Sequence, residues 1–448
     1  MNRLQQFPYK EVLVLGLAKS GASAAQLLID SGIPVRVNDL KSEKENPEAE
    51  NLRKQGIEVI TGHHPLSVLE DVDLVVKNPG IPYENVIVRE AERRGIPIVT
   101  EVELAGMLIE GPLVGVTGSN GKTTTTTLIY EMILAEGKKA KIAGNIGRAA
   151  SEVARNMKPD EIMVMELSSF QLLGIKDFRP HVAVLLNIFE AHLDYHKTME
   201  HYMKAKGNIF KNQTANDVLV YNADDQRVLR LIEDARSIKV PFSIETSCNG
   251  AWADEEHIYY KQQILMKRNE LKLSGSHQLQ NSLAAIAAVK SLDISDEAII
   301  RVLRTFRGVK HRLQYVDTIH GRTFYNDSKA TNILATSKAL AAFQQPVILL
   351  AGGLDRGNEF DDLVPSLHRV KAMVLFGQSA PKIERAARKA GIDQIVYVDN
   401  VKQAAKQAYS MSEDGDVILL SPACASWDQY RTFEERGDMF IEAVHMLK

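Results

Sequence analysis

The run Thr117-Gly118-Ser119-Asn120-Gly121-Lys122-Thr123 joins glycines, one lysine and a hydroxyl group where an apolar stretch gives way to helix-prone residues. That context is what a phosphate-binding loop requires. Glycines let the backbone curl so that its N–H groups face phosphate oxygens, and the following helix N-terminus adds partial positive charge. Lys122 would reach the β- and γ-phosphates, and Thr123 would offer its hydroxyl to Mg²⁺. The spacing departs from the common motif: Val116 stands where a glycine is usual, five residues before Gly121. A glycine turn preceding Lys-Thr by chance is the competing reading, and the flanking strand and helix weigh against it. The loop points to ATP or GTP without choosing a reaction.

Two further groups could share that metal. Glu166 closes an apolar strand in Met165-Glu166-Leu167-Ser168-Ser169-Phe170-Gln171, and the carboxyl end of a parallel strand is where open α/β sheets bind ligands. His192 follows the next strand, in Asn187-Ile188-Phe189-Glu190-Ala191-His192-Leu193-Asp194. Carboxylate and imidazole after neighbouring strands could both approach the magnesium at Thr123. Magnesium prefers oxygen, so a capping or surface histidine fits His192 as well. Lys206, in Tyr202-Met203-Lys204-Ala205-Lys206, reads as a solvated helical lysine on pattern alone.

These groups need elements to hold them. Apolar runs at 12–15, 34–38, 57–60 and 74–76 read as strands, with helix-compatible residues at 22–29. Strands at 113–117, 162–165 and 182–186 and helices at 123–135 and 281–290 follow. Strands at 323–326, 347–350, 372–376 and 417–420 then alternate with helices at 380–390 and 401–411. Alternation of this kind implies parallel sheets covered on both faces, an α/β fold. Three domains are expected: 1–99, Rossmann-like; 100–307, a central ATPase-like domain carrying the phosphate loop; and 308–448, Rossmann-like. The 448 residues exceed one ordinary core. Five consecutive threonines, Thr123 to Thr127, are poor helix formers, so local chemistry keeps some of them.

Composition narrows the class. The net charge is −3, with 45% hydrophobic and 25% charged residues, so no uniform field draws the chain to nucleic acid or to a membrane surface. Two distant cysteines, Cys248 and Cys424, argue against a disulfide framework and suit a reducing cytoplasm. The first apolar run is short and meets Gly16, so it reads as a strand rather than a signal peptide. Runs long enough to span a membrane are not expected.

Taken together, Thr-Gly-Ser-Asn-Gly-Lys-Thr, Glu-Leu-Ser-Ser-Phe-Gln and Asn-Ile-Phe-Glu-Ala-His-Leu-Asp resemble the Mur ligases of bacterial cell-wall synthesis, whose wider kin include folylpolyglutamate synthase. The resemblance spans the whole chain. Tyr325-Asn326-Asp327-Ser328-Lys329-Ala330-Thr331-Asn332 and Ser421-Pro422-Ala423-Cys424-Ala425-Ser426-Trp427-Asp428-Gln429 resemble the D-glutamate-adding branch. The resemblance implies an ATP-dependent ligase using two Mg²⁺ ions, with UDP-N-acetylmuramoyl-L-alanine, D-glutamate and ATP as substrates. It would act as a cytoplasmic monomer in peptidoglycan synthesis, and thereby in cell shape and division.

Residue roles follow from the same resemblance. Gly118, Ser119, Asn120, Gly121, Lys122, Thr123 and Thr124 would hold the ATP phosphates. Asn281 would meet adenine, and Arg312 and Asp327 the ribose and phosphate region. Glu166 and His192 would hold the second metal with Lys206, which matches a lysine carbamylated by CO₂ in the family; the implied catalytic set is Lys122, His192 and Lys206. Gly16, Ser20, Gly21, Asp39, Asn78, Asn145 and Gln171 would bind the UDP substrate. Lys329, Thr331, Arg356, Ser426 and Phe433 match the D-glutamate pocket. Departures are Gln278, where the family carries Asn, the residues after Asp39, and a bulky Trp427.

The implied chemistry passes through an acyl phosphate, with the proton acceptor for the amine left open. Another ligase of the family, a folate ligase and a nucleotide-driven switch are the rival readings. The Asp-Asn-Pro-Arg string expected of the diamino-acid enzyme does not occur here.

Overall fold

The computed structural model describes residues 1–43, 46–273 and 275–447, apart from the side chain of Asp194. The chain divides into two compact units, Met1–Phe306 and Arg307–Lys448.

The first unit holds two sheets. Five parallel strands lie in the order Glu58–Thr61, Val35–Asp39, Val12–Leu15, Leu74–Lys77, Ile98–Val99. Val12–Leu15 is buried throughout, as a strand covered by helices on both faces must be. The strand order switches direction between Val12–Leu15 and Leu74–Lys77, which opens a crevice beyond their carboxyl ends. Gly16 and Asn78 emerge there. Gly16 takes φ +92°, and a Cβ on Gly21 would lie 1.8 Å from the Gly16 carbonyl oxygen. The two glycines thus let the helix Lys19–Asp30 start tight against the turn.

The second sheet has nine strands. Leu113–Thr117 lies at its heart, parallel to Ile162–Glu166 on one side and Val182–Leu185 on the other. The Glu166 and His192 strands are therefore not neighbours of each other, as the sequence reading had them. They flank the strand that feeds the phosphate loop, a better arrangement for converging on it. Ala140–Gly144 closes one edge. Val218–Asn222, Ile238–Ser243 and Ala251–Ala253 continue the other in parallel, and an antiparallel pair, His257–Tyr260 and Gln263–Lys267, ends it. Trp252 stacks on Tyr259 at 4.0 Å across this edge. The helices Lys122–Ala135 and Ser276–Lys290 bury Leu128, Ile129, Leu283 and Ala284 in one core over the sheet.

The second unit carries six strands in the order Gln314–Ile319, Arg322–Asn326, Val417–Leu420, Val347–Gly352, Val370–Phe376, Gln394–Tyr397, parallel except for the first. Arg436, on the helix Phe433–His445, is wholly buried beneath the carboxyl ends of three of them. It donates to Ser328 Oγ (3.0 Å), Ser328 O (2.9 Å), Cys424 O (3.2 Å) and Gly352 O (3.4 Å). Burial lowers its pKa to about 10, and the carbonyl dipoles stand in for water. Among the described residues no helix is long and apolar enough to cross a membrane.

Gly21→Ala sets a methyl group against a backbone oxygen that cannot step aside. A loss of about 1–3 kcal/mol is expected from such overpacking, seen as a lower urea midpoint. An unchanged midpoint would contradict the close approach.

Candidate active site

The phosphate loop runs from the end of Leu113–Thr117 into the helix Lys122–Ala135. Gly118 takes φ +158° and Gly121 φ +84°, and a Cβ at Gly121 would meet Asn281 Oδ1 at 2.1 Å. Asn281 is thus pressed against the loop, braced by Gln278, whose Oε1 accepts from its Nδ2 at 3.2 Å. The glutamine that departs from the family pattern supports Asn281 from one helical turn away. Asn187 fastens the loop from the next strand: its Oδ1 accepts from Asn120 N (2.9 Å), and its Nδ2 donates to Asn120 O (3.2 Å).

Two lysines converge on one oxygen. Lys122 Nζ and Lys206 Nζ each donate to Gly118 O at 2.8 Å, and Lys122 also donates to Ser119 O at 3.0 Å. Lys206 is only 2% exposed, so the reading of it as a solvated helical lysine is wrong. It lies on the buried face of Met199–Gly207 with Tyr202 and Ala205, and a charged residue inside a short mixed pattern carries no mark of which face it takes. Burial depresses its pKa well below the usual lysine value, the Lys122 ammonium pushes the same way, and Glu166 opposes them. Two like charges held against one oxygen repel each other. One amine of the pair is therefore held toward its neutral, nucleophilic form.

Glu166 is buried at the end of Ile162–Glu166. Thr123 Oγ1 donates to its Oε2 at 2.7 Å, and Asn145 Nδ2 donates to its Oε1 at 2.7 Å. Two oxygens at that spacing match an edge of about 3 Å in an octahedron of 2.0–2.1 Å Mg–O bonds. The donor chemistry suits magnesium. Among the described residues no three His, Cys, Asp or Glu side chains are grouped to hold a metal. His192, at φ +57°, lies in an aromatic cluster: its ring is 5.0 Å from Phe170 and 6.4 Å from Tyr202. Tyr202 Oη lies 2.9 Å from Ser119 Oγ in the loop.

Apart from Gly21, which is buried in the helix Lys19–Asp30, the expected substrate residues line two adjoining cavities in the first unit. One, of about 540 Å³, is walled by Gly16, Asp39, Lys41, His64, Asn78 and Ile81. The Asp39 carboxylate accepts from the backbone N–H groups of Leu17 (2.5 Å) and Lys41 (2.7 Å), so it shapes this wall. The other, of about 390 Å³, takes in Ser20, Asn78, Asn145 and Gln171. Asn78 Nδ2 donates to Ser20 Oγ at 3.1 Å. Gln171 Oε1 accepts from Ser168 N at 2.9 Å in a capping box that starts Ser169–Leu173. Asn145 touches both this cavity and Glu166.

In the second unit Thr331 and Arg356 line a cavity of about 550 Å³ with Asn332, Leu354, Cys424 and Ala425. The Arg356 guanidinium lies 5.0 Å from the Trp427 ring, and Lys329 Nζ lies 5.9 Å from the Phe433 ring. Ser426 Oγ is buried without a protein partner. Asp327 accepts from Ser421 Oγ (2.9 Å) and Leu313 N (3.1 Å). Burial raises its pKa to about 6 against those hydrogen bonds and the Arg312 charge. Lys77 and Arg436 are buried charges that sequence reasoning missed; each carries an ordinary surface residue type and no motif.

Because the folded Asp327 carboxyl keeps its proton up to about pH 6 while the unfolded one loses it near 3.9, its stabilising contribution is present below pH 4 and is lost as pH rises through 6. Asp327→Asn should flatten the fall in urea midpoint between pH 4 and 7. An identical pH profile in the variant would contradict the raised pKa.

Comparison with known proteins fixes the family. Residues 10–100 match the Mur ligase MurD-like N-terminal domain, 116–289 the Mur ligase middle domain, and 311–424 the Mur ligase glutamate ligase domain. The chain is 61% identical to UDP-N-acetylmuramoylalanine--D-glutamate ligase of Geobacillus kaustophilus, covering 100% of both chains. It is 57% identical to the enzyme of that name from Bacillus subtilis, covering 99% of both. Among solved structures, MurF from Acinetobacter baumannii shares the fold at TM-score 0.58 and 18% identity, with 96% of this chain and 93% of that one covered. MurF from Thermotoga maritima in complex with ADP does so at 0.55 and 19%, with 92% and 96% covered. A chain carrying all three domains in order, with a phosphate loop backed by Glu166 and two converging lysines, belongs to the Mur ligase family.

Proposed function

We infer that this chain is an ATP-dependent, amide-forming ligase that adds D-glutamate to UDP-N-acetylmuramoyl-L-alanine in peptidoglycan precursor synthesis. The full-length likeness to relatives named for that reaction carries this reading. The geometry supplies what the chemistry demands. The substrate carboxylate is a poor electrophile. It attacks the γ-phosphorus of ATP, ADP leaves, and an acyl phosphate forms. The amine of D-glutamate adds to that carbonyl carbon, and inorganic phosphate leaves as the amide is completed.

Catalysis here is positioning and charge neutralisation. The loop backbone from Gly118 to Thr124 cradles the phosphates. Lys122, which folds onto Gly118 O and Ser119 O, has phosphate oxygens as its stronger partners. Thr123 and Glu166 would hold magnesium, which offsets the charge of triphosphate and carboxylate brought together. His192 and Lys206 complete that set in this reading. The Lys206 amine can attack CO₂, forming an N–C bond and releasing one proton, to give a carbamate. That exchange replaces a buried amine by a carboxylate beside Thr123 and Glu166. The two cavities of the first unit would take the nucleotide sugar, with Gly16 and Asp39 at the uridine diphosphate end and Asn145 and Gln171 toward the muramoyl end. Asn281, Arg312 and Asp327 would meet the nucleoside and ribose of ATP. Lys329, Thr331, Arg356, Ser426 and Phe433 would hold D-glutamate, with the unpartnered Ser426 hydroxyl available to a carboxylate.

Phosphate release measured with ATP, magnesium and UDP-N-acetylmuramoyl-L-alanine against a panel of amino acids should require D-glutamate. Release favouring another amino acid would move the chain to a sister activity, and release with ATP alone would favour a nucleotide switch. Lys122→Ala should lower kcat by at least about 100-fold, as loss of one transition-state charge contact does, while leaving the thermal midpoint unchanged. Retained turnover would remove the phosphate-loop assignment.

A further inference from the structure

Lys77 ends the strand Leu74–Lys77 and is wholly buried, yet none of the roles above uses it. Its Nζ donates to the carbonyl oxygens of Ile81 (2.6 Å), Asn78 (3.2 Å) and Pro79 (3.3 Å), and to Tyr195 Oη (3.3 Å). Tyr195 Oη donates in turn to Ile81 O (2.9 Å) and Pro79 O (3.3 Å). One ammonium and one hydroxyl therefore bind the same turn from two sides. The Tyr83 ring lies 4.9 Å from Nζ and the Tyr195 ring 5.9 Å, so the charge rests among π faces and carbonyl dipoles. Burial lowers its pKa to about 8, which leaves it mostly protonated at neutral pH.

The turn so held is the shared rim of both cavities: Asn78 and Gly80 line each of them, and Ile81 lines the larger. Tyr195 belongs to the short helix Leu193–His196 that starts directly after His192. Its ring meets Phe170 edge-on at 4.6 Å, and Phe170 meets His192 at 5.0 Å. Phe170 itself lines the smaller cavity. The unbroken sequence of contacts is cavity rim, Lys77, Tyr195, Phe170, His192.

We propose that Lys77 is a positioning residue that locks the nucleotide-sugar rim at 78–81 to the His192 segment through Tyr195, so that filling the rim also sets the side of the phosphate loop where His192 stands. The inference rests on reading the cavities as the UDP-substrate site. A cross-link of this kind is expected to be cooperative, because Lys77 and Tyr195 share two acceptors and one mutual hydrogen bond. A lysine that only filled space would show no such sharing.

The test uses the full-length chain as wild type, Lys77→Met, Tyr195→Phe and the double variant, with far-UV dichroism confirming the fold. UDP binding is followed by calorimetry and turnover by phosphate release. Lys77→Met should weaken UDP binding and raise KM for the nucleotide sugar by about tenfold, the equivalent of 1.4 kcal/mol, with KM for ATP unchanged. Tyr195→Phe should shift both in the same direction by less, and the double variant should be no worse than Lys77→Met. UDP affinity equal to wild type in folded Lys77→Met, equal losses for UDP and ATP, or strictly additive effects would each overturn the proposal. If Lys77→Met does not fold, Tyr195→Phe decides: weaker UDP binding with lower kcat supports the lock, and no change in either overturns it. Wild-type protein that fails to bind UDP would overturn the functional reading itself, and this inference with it.

Discussion

The carbonyl oxygen of Gly118 accepts hydrogen bonds from two lysines at once, and the rest of the first unit is arranged to make that possible. Lys122 arrives from the helix that the loop opens, Lys206 from Met199–Gly207. Lys206 is buried and Lys122 half-buried, and their mutual repulsion has to be relieved. The relief falls on Lys206, the more deeply buried, whose pKa drops. In the proposed function the pair would divide the labour that phosphoryl activation needs: a cation for phosphate oxygens and an amine open to conversion into a carboxylate. Thr123 and Glu166 supply the neighbouring oxygens, and Asn145 links Glu166 to the smaller cavity of the first unit.

Sheet topology delivers these groups to one place. The phosphate-loop strand sits between the strands ending in Glu166 and at Leu185, so both neighbours present their carboxyl ends to the loop. The five-stranded sheet offers its own switch-point crevice at Gly16 and Asn78. Buried charges tie the pieces down. Lys77 binds the crevice turn, and Arg436 binds the strand ends of the second unit. Each is stable there because backbone carbonyls replace the lost water, at a cost in desolvation that only several good hydrogen bonds offset.

Much of this was legible in the residues. Strands at 12–15 and 417–420 are continuous apolar runs, 113–117 is apolar up to its closing threonine apart from Gly115, and all three have the predicted bounds. The helix 401–411 is likewise as read, its start fixed by Asn400, which accepts from Lys402 N and Gln403 N. The edge strands were not seen. His257–Tyr260 and Gln263–Lys267 are half exposed and mix aromatic with polar residues, so neither the alternating nor the continuous apolar signal is present. At the site, the phosphate loop and Glu166 could be found because their chemistry is tied to a strand end. Lys206 could be found only by resemblance, and Lys77 not at all, because burial of a lysine is decided by the partners tertiary structure brings. Tyr195 lies 118 residues from Lys77, and no local pattern records that pairing.

The proposed carbamate rests on a buried Lys206 amine whose pKa is pushed down beside Lys122 and Glu166. Carbon-13 NMR of the full-length protein in ¹³C-labelled bicarbonate addresses it directly. A carbamate resonance in wild-type protein that is missing from Lys206→Ala is the predicted result. Spectra without that resonance in either protein, at a pH where wild type turns over, would contradict the account.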